Sequence, residues 1–269
     1  MSRSIDLNAD LGEEPWQTAR DIALMQNISS CNIACGGHAG DAASMAMMLA
    51  AARAAGVAAG AHPSYPDRAG FGRATMTIAL PDLLAALLGQ VRALQSIAVG
   101  QGIALTHIKP HGALYNDLAD RPEIAGPVAA ALHAAFPDLA LVGLAHGAFE
   151  TAVHQAGARF IAEGFVDRGY TRARRLIPRG QPGALIAGDD ARAAQAVAIA
   201  TGAPINATGA TINATGVRLN ASDGSTIVII AQSLCIHSDS PGSEQTALRI
   251  GKEMASIGIA VRPPGENAT

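Results

Sequence analysis

The sequence predicts an α/β fold, a distorted TIM-like (β/α) barrel of about seven strands. Short apolar runs alternate with longer helical patterns along nearly the whole chain. Such alternation implies mostly parallel strands joined by right-handed crossovers. A length of 269 residues is ordinary for one such barrel, so 1–269 reads as a single domain. An open doubly wound sheet is the second reading.

The first strand is SIDLNADL (4–11). Asp6, Asn8 and Asp10 share one of its faces, and Ile5, Leu7 and Ala9 the other. The exterior face of a parallel barrel must meet helices, so the polar face looks inward. CNIACGG (31–37) is the second strand and leads to His38. Asp41 can cap a helix over 41–55, and Gly56 suits its end. GVAAGAH (56–62) is the third strand and ends on His62. Pro81 fits the first turn of a long helix over 81–99.

IALTHIKPH (103–111) is the fourth strand. His107, Lys109 and His111 follow a strand's period of two and can share a face. His107 and His111 would also align on a helix, but Pro110 and Gly112 argue against one. The segment after them has helical character, and a further helix covers 122–136. LALVGLA (139–145) is the fifth strand, followed by a helix over 147–157. ARFIAEGFVD (158–167) is the sixth, with Glu163 and Asp167 on one face; a helix over 189–201 comes next.

Residues 205–229 are rich in Thr, Asn and Gly and break the alternation. Asp223-Gly224 is a hairpin signal, so a β-hairpin excursion is expected before the last strand. That strand is TIVIIAQSLCIH (226–237), after which His237 and Asp239 share a face. A helix over 242–258 closes the chain, with Gly258 at its end.

Composition narrows the function. At 49% hydrophobic and 15% charged, the chain suits a compact enzyme rather than a disordered protein. Aromatics are 3%, so the core must come mainly from Ala, Val, Ile and Leu. A net charge of −3 without a basic stripe argues against nucleic acid as a partner. The basic stretch RGYTRARRLIPR (168–179) reads as a solvated loop or a local anion site. Cys31, Cys35 and Cys235 read as buried thiols in a reducing cytoplasm. No signal peptide is expected at the N-terminus, and no uninterrupted apolar run reaches membrane-spanning length.

The strand ends carry the chemistry. An ionisable group on an apolar strand needs its own partner, so repetition at several strand ends points to an active site at one barrel mouth. No P-loop and no nucleophile elbow occur. HPSYPDRAGFGR (62–73) is a candidate loop, since Arg68 and Arg73 could hold phosphate or carboxylate bidentately.

IDLNADLGE, NIACGGHAGD, GAHPSYPDRAGFGR, HIKPHGALYN, EGFVDRGY, LIPRG and CIHSDSPG occur in order from residue 5 to about 242. Together they resemble the LamB/YcsF family. Members often have G-E-S-F-G where this chain has Gly12-Glu13-Glu14-Pro15-Trp16. The resemblance implies a barrel of the glycoside hydrolase and deacetylase type. It also implies ATP-dependent opening of 5-oxoproline to glutamate, with Mg2+ beside the nucleotide, no firm protein-bound metal, and two partner subunits, B and C.

On that basis Asp10, Lys109, His111, Glu163, Asp167, His237 and Asp239 are the expected catalytic residues. Asn8, Asn32, His38, His62, Asp67, Arg73 and Arg168 are the expected contacts to substrate or phosphate. Lys109 and Arg73 would hold phosphate or the substrate carboxylate. Asp10 or Asp239 would be the base, and His111 or His237 the proton shuttle. Two other readings stand beside this one. In the first, His38, His62, His107 and Asp10 hold a divalent ion for deacetylation or amide hydrolysis. In the second, the chain is a non-catalytic substrate-binding subunit. Homo-oligomerisation is left open.

Overall fold

The computed structural model describes residues 3–204, 219–220 and 226–264. Its strands are β1 (Arg3–Leu11), β2 (Ser30–Ala34), β3 (Ala58–His62), β4 (His107–Ile108), β5 (Ala140–Leu144), β6 (Phe160–Phe165), β7 (Leu219–Asn220), β8 (Thr226–Ile227), β9 (Ser233–Cys235) and β10 (Ile259–Val261). Its helices are α1 (Thr18–Leu24), α2 (Ala42–Ala55), α3 (Leu80–Gly100), α4 (Gly112–Asp120), α5 (Pro122–Ala135), α6 (Ala148–Gln155), α7 (Asp189–Thr201) and α8 (Ser243–Ser256).

The strand order is β10-β1-β2-β3-β4-β5-β6-β9, and β9 also pairs with β1. Seven strands therefore form a closed ring, a TIM-like α/β barrel rather than an open doubly wound sheet. β1 is long enough to serve two neighbours in turn. Arg3–Ile5 pair with β10, and Asp6–Asn8 pair with β9, both in parallel. β10 is three residues long and lies outside the expected pattern, because so short a run after Gly258 carries no periodicity.

Backbone contacts divide the chain into two compact units. One comprises residues 10–26 and 30–161; the other comprises 1–9, 27–29 and 162–269. In the first, β2 to β5 pair in parallel, with Gly60 opposite His107. Asp41 caps α2, its Oδ1 accepting the Ser44 amide at 2.8 Å, and left-handed Gly56 ends that helix at φ 69°. The extended fourth segment is a formal strand only over two residues. Its amides nonetheless continue along the neighbouring chain, Lys109 donating to Ala61 O and His111 to Pro63 O. Pro110 has no amide to donate, which shortens the ladder.

α3 buries Leu83, Leu87, Val91, Leu94 and Ala98. That spacing is the stripe of a helix lying on a core, and each leucine contributes roughly 1.5–3 kcal/mol by burial. At 21 residues α3 also has the length and apolar composition to cross a membrane, yet it is not an uninterrupted apolar run. Asp82 and Arg92 interrupt the apolar run without ending the helix.

α1 is absent from the sequence expectations, and its flanking 3-10 turns leave it only seven residues long. It carries the buried Asp21, whose Oδ2 accepts the Gly12 amide at 2.9 Å. The other oxygen has no hydrogen-bond partner among the described residues. Burial therefore pushes the carboxyl up to about 6, with Glu13 adding to the effect.

In the second unit β9 lies between β1 and β6. The expected last strand, 226–237, is broken in two. Thr226–Ile227 pair antiparallel with Leu219–Asn220, and only Ser233–Cys235 join the ring. The break falls where Gln232 uses its side chain as backbone, Oε1 accepting the Ala162 amide at 3.1 Å. The β7–β8 pair is the expected hairpin excursion, while its turn at Asp223-Gly224 lies outside the described residues. Cys31, Cys35 and Cys235 are buried free thiols.

Packing and burial each have a measurable consequence. A Cβ at Gly60 would lie 2.2 Å from His107 Nε2, so Gly60→Ala must displace that ring. We expect a loss of about 1–3 kcal/mol, read as a lower denaturant midpoint at unchanged slope. For Asp21 the folded pKa is raised from 3.8 to about 6, so its contribution is present below pH 4 and lost as pH rises through 6. Asp21→Asn removes that loss. The stability difference between variant and wild type should grow between about pH 4 and 6, towards roughly 3 kcal/mol; a flat difference across that window would refute it.

Candidate active site

Two polar clusters hold most of the expected residues, one in each unit. In the first unit the centre is a buried ion pair. Lys109 is 2% exposed, and its Nζ donates to Asp10 Oδ1 at 2.9 Å. Asn32 Nδ2 donates to the same oxygen at 2.8 Å, and Asn32 Oδ1 meets His107 Nε2 at 2.8 Å. Since an amide oxygen only accepts, that His107 nitrogen carries the hydrogen. Its Nδ1 then accepts from Thr106 Oγ1 at 2.7 Å. Burial, followed by the Lys109 charge, pushes His107 down to about 3, so the ring stays neutral.

Three histidines and one glutamate form the neighbouring group. His62 Nδ1 lies 2.7 Å from Lys109 O, and His111 Nε2 lies 3.0 Å from Phe71 O. The other nitrogens, His62 Nε2 and His111 Nδ1, are 3.0 Å apart. Glu13 Oε1 is 3.1 Å from His38 Nε2, 3.2 Å from His111 Nδ1 and 3.7 Å from His62 Nε2. His38 stacks on His111 with ring centroids 3.6 Å apart. Burial holds His38 near 4 and His111 below its ordinary range, Glu13 only partly offsetting it. Burial alone would raise the Glu13 carboxyl, but its polar contacts with the His111 and His38 rings outweigh it and hold it well below the usual range.

The loop after β3 supports this group. Phe71 is left-handed at φ 55°, a strained state for a side chain with a Cβ, and Gly72 follows at φ 61°. That turn aims the Phe71 carbonyl at His111. Gly112, at φ 58°, starts α4 where a Cβ would meet Gly72 O at 2.5 Å. Asp67 closes the loop, its Oδ1 accepting the Gly70 amide at 2.8 Å, and Arg68 Nη1 donates to Gly40 O at 2.7 Å. Arg73 is exposed and lies over the Phe71 ring at 4.8 Å.

In the second unit, Asp6 accepts hydroxyls from Ser29, at 2.6 Å, and from Ser233. Asn8 Nδ2 donates to Glu163 Oε1 at 2.8 Å and Ser233 Oγ at 2.7 Å. Asp167 grips His237: Nδ1 is 2.9 Å from Oδ1, the His237 amide 3.3 Å from Oδ2, and Ser240 Oγ donates at 2.8 Å. Burial would raise this carboxyl, but His237 and Ser240 outweigh it and bring it to about 2. The grip fixes the Nδ1–H tautomer and leaves Nε2 as a proton acceptor, the logic of an acid–base dyad. Arg168 donates to Ala184 O at 3.0 Å and Ile177 O at 2.6 Å, so its guanidinium folds the following loop. Asp239 pairs with Arg179 at 3.3 Å on a part-exposed surface, where such a bond contributes little.

Asp10, Asn32, His38, His62, Lys109 and His111 thus stand together, whereas Asp67, Arg73, Arg168 and Asp239 serve loops or surface. His107 belongs to the Asn32 chain; the ligand-type group contains His38, His62, His111 and Glu13. Glu13 is the residue that strand-end reasoning passed over, because it follows β1 on a turn and has no strand period. Its signal was its place in IDLNADLGE.

Residues 5–269 match the LamB/YcsF family. The chain is 42% identical to the 5-oxoprolinase A subunit of Paracidovorax citrulli (strain AAC00-1), over 96% of this chain and 98% of that one. It is 38% identical to the 5-oxoprolinase A subunit of Mycobacterium avium (strain 104), over 96% and 98%. Among solved structures, the lactam utilization protein from Thermus thermophilus superposes with a TM-score of 0.83 at 33% identity, covering 96% of this chain and 99% of that one. By sequence over nearly its whole length, and by fold, this chain belongs to the LamB/YcsF family.

Proposed function

We propose that this chain is the A subunit of a 5-oxoprolinase. It opens the lactam of 5-oxo-L-proline to L-glutamate, coupled to ATP hydrolysis, in company with partner subunits B and C. One observation carries the reading. A buried Lys109–Asp10 pair, continued through Asn32 to His107, lies in a chain whose full-length relatives are named for this activity.

A five-membered lactam is a stabilised amide and a poor electrophile. Phosphate from ATP on its carbonyl oxygen activates the carbon towards water. Water then adds there, the ring C–N bond breaks as the nitrogen takes a proton, and a second water cleaves the resulting acyl phosphate to release the phosphate. Glutamate, ADP and phosphate are the products. Lys109 supplies a positive charge for the oxygen on which negative charge develops. Its burial lowers the local dielectric and strengthens that interaction. Asp10 holds Lys109 through Oδ1 and turns Oδ2 towards His62 Nε2 at 3.4 Å, placing a carboxylate where it can take a proton from water. ATP with Mg2+ is a co-substrate of the assembled enzyme.

Reconstitution with the partner subunits tests this. Lys109→Met should lower ATP-dependent glutamate formation by at least ~100-fold, with the far-UV circular dichroism unchanged. Turnover within a few-fold of wild type would remove Lys109 from the chemistry. Hydrolysis of 5-oxoproline by the isolated chain without ATP would overturn the shared-subunit reading.

A further inference from the structure

We propose that Glu13, His38, His62 and His111 bind one divalent transition-metal ion of the zinc class. The partners of each ring decide which of its nitrogens carries hydrogen. A backbone carbonyl only accepts. His62 Nδ1 faces Lys109 O at 2.7 Å and His111 Nε2 faces Phe71 O at 3.0 Å, so both of these nitrogens are donors. In neutral rings the opposite nitrogens are then lone pairs. They point at each other across 3.0 Å, with the Glu13 carboxylate 3.2 Å from His111 Nδ1 and 3.7 Å from His62 Nε2. Lone pairs and a carboxylate converging in a buried place repel one another unless a cation joins them.

Anchoring the far N–H on a backbone carbonyl is how metal-bound histidines are commonly oriented. His38 completes the set. Its Nε2 is 3.1 Å from Glu13 Oε1, and its Nδ1 is buried with no hydrogen-bond partner among the described residues. One ligand atom from each of the four residues lies within 4.8 Å of every other. A tetrahedral ion with bonds of about 2.0–2.2 Å needs ligand atoms roughly 3.3–3.6 Å apart, so small rotations close the set. Three imidazoles and one carboxylate suit zinc, cobalt or nickel, whereas magnesium and calcium prefer oxygen alone.

The site also sits beside the proposed chemistry, since Asp10 Oδ2 is 3.4 Å from His62 Nε2. The proposal deepens the lactam reading but stands on its own geometry. It is tested on the purified full chain, stripped with chelator and titrated with Co2+. We expect one equivalent to bind, with the visible absorption of four-coordinate cobalt, and Zn2+ to displace it. His62→Ala and His111→Ala should each weaken binding by at least ~100-fold, while His154→Ala, which changes an exposed histidine, should not. Absence of bound Co2+, Zn2+ or Ni2+ in the wild type would overturn the proposal even if the variants fail to fold. So would binding that survives both cluster substitutions. Metal bound without lactam turnover in the reconstituted enzyme would uphold the site and sink the proposed function; turnover without bound metal would do the reverse.

Discussion

A buried ammonium beside a buried carboxylate is the constraint around which this chain is arranged. Desolvating each ion costs several kcal/mol, and the attraction between them offsets that cost only when geometry and hydrogen bonds are good. Lys109 and Asp10 meet those terms. Asn32 adds a second donor to the same Asp10 oxygen, and His107 fixes Asn32 from behind. His107 in turn needs room, which Gly60 supplies by having no side chain on the strand opposite. A charge on one strand therefore dictates a glycine on another.

The same economy governs the histidines. A neutral imidazole can present either nitrogen, and a loop that decides which one also decides the chemistry. Here backbone carbonyls decide. Lys109 does so for His62 with its main chain while its side chain holds Asp10, so one residue sets two groups. Phe71 does so for His111 from a left-handed conformation that costs of order 1–2 kcal/mol. Strain of that size persists where surroundings over-determine it. The adjoining Gly72 and the start of α4 at Gly112 pack too closely for any side chain on Gly112.

How much of this was legible follows from periodicity. The barrel was, because alternation of strand and helix survives in composition; so was the polar face of β1, which repeats every second residue. Lys109, His107 and His111 shared a period that named their segment before any contact was known. Elements of two or three residues, such as β9 and β10, have no room for a period. Glu13 and the Phe71 carbonyl sit on turns, where partners far along the chain set the geometry. The role of Arg168 is hard to read from sequence for a related reason. A motif marks that an arginine matters but does not say whether it grips a ligand or, as here, two carbonyls of its own loop.

β1 shows how neighbours assign different work to one pattern. Asp6, Asn8 and Asp10 occupy equivalent positions on a single strand. Asp6 meets two serine hydroxyls, which hold a carboxylate in place but are poor proton donors at neutral pH. Asn8 spends its amide on Glu163, Ser233 and the Leu234 carbonyl, tying strands together. Asp10 faces an ammonium and an imidazole, groups that can move a proton or meet an anion. A carboxylate whose partners are themselves ionisable can exchange protons with them, so of three like-placed polar residues Asp10 is the one that the proposed reaction uses, while the bonds of Asp6 and Asn8 hold the strand that carries it.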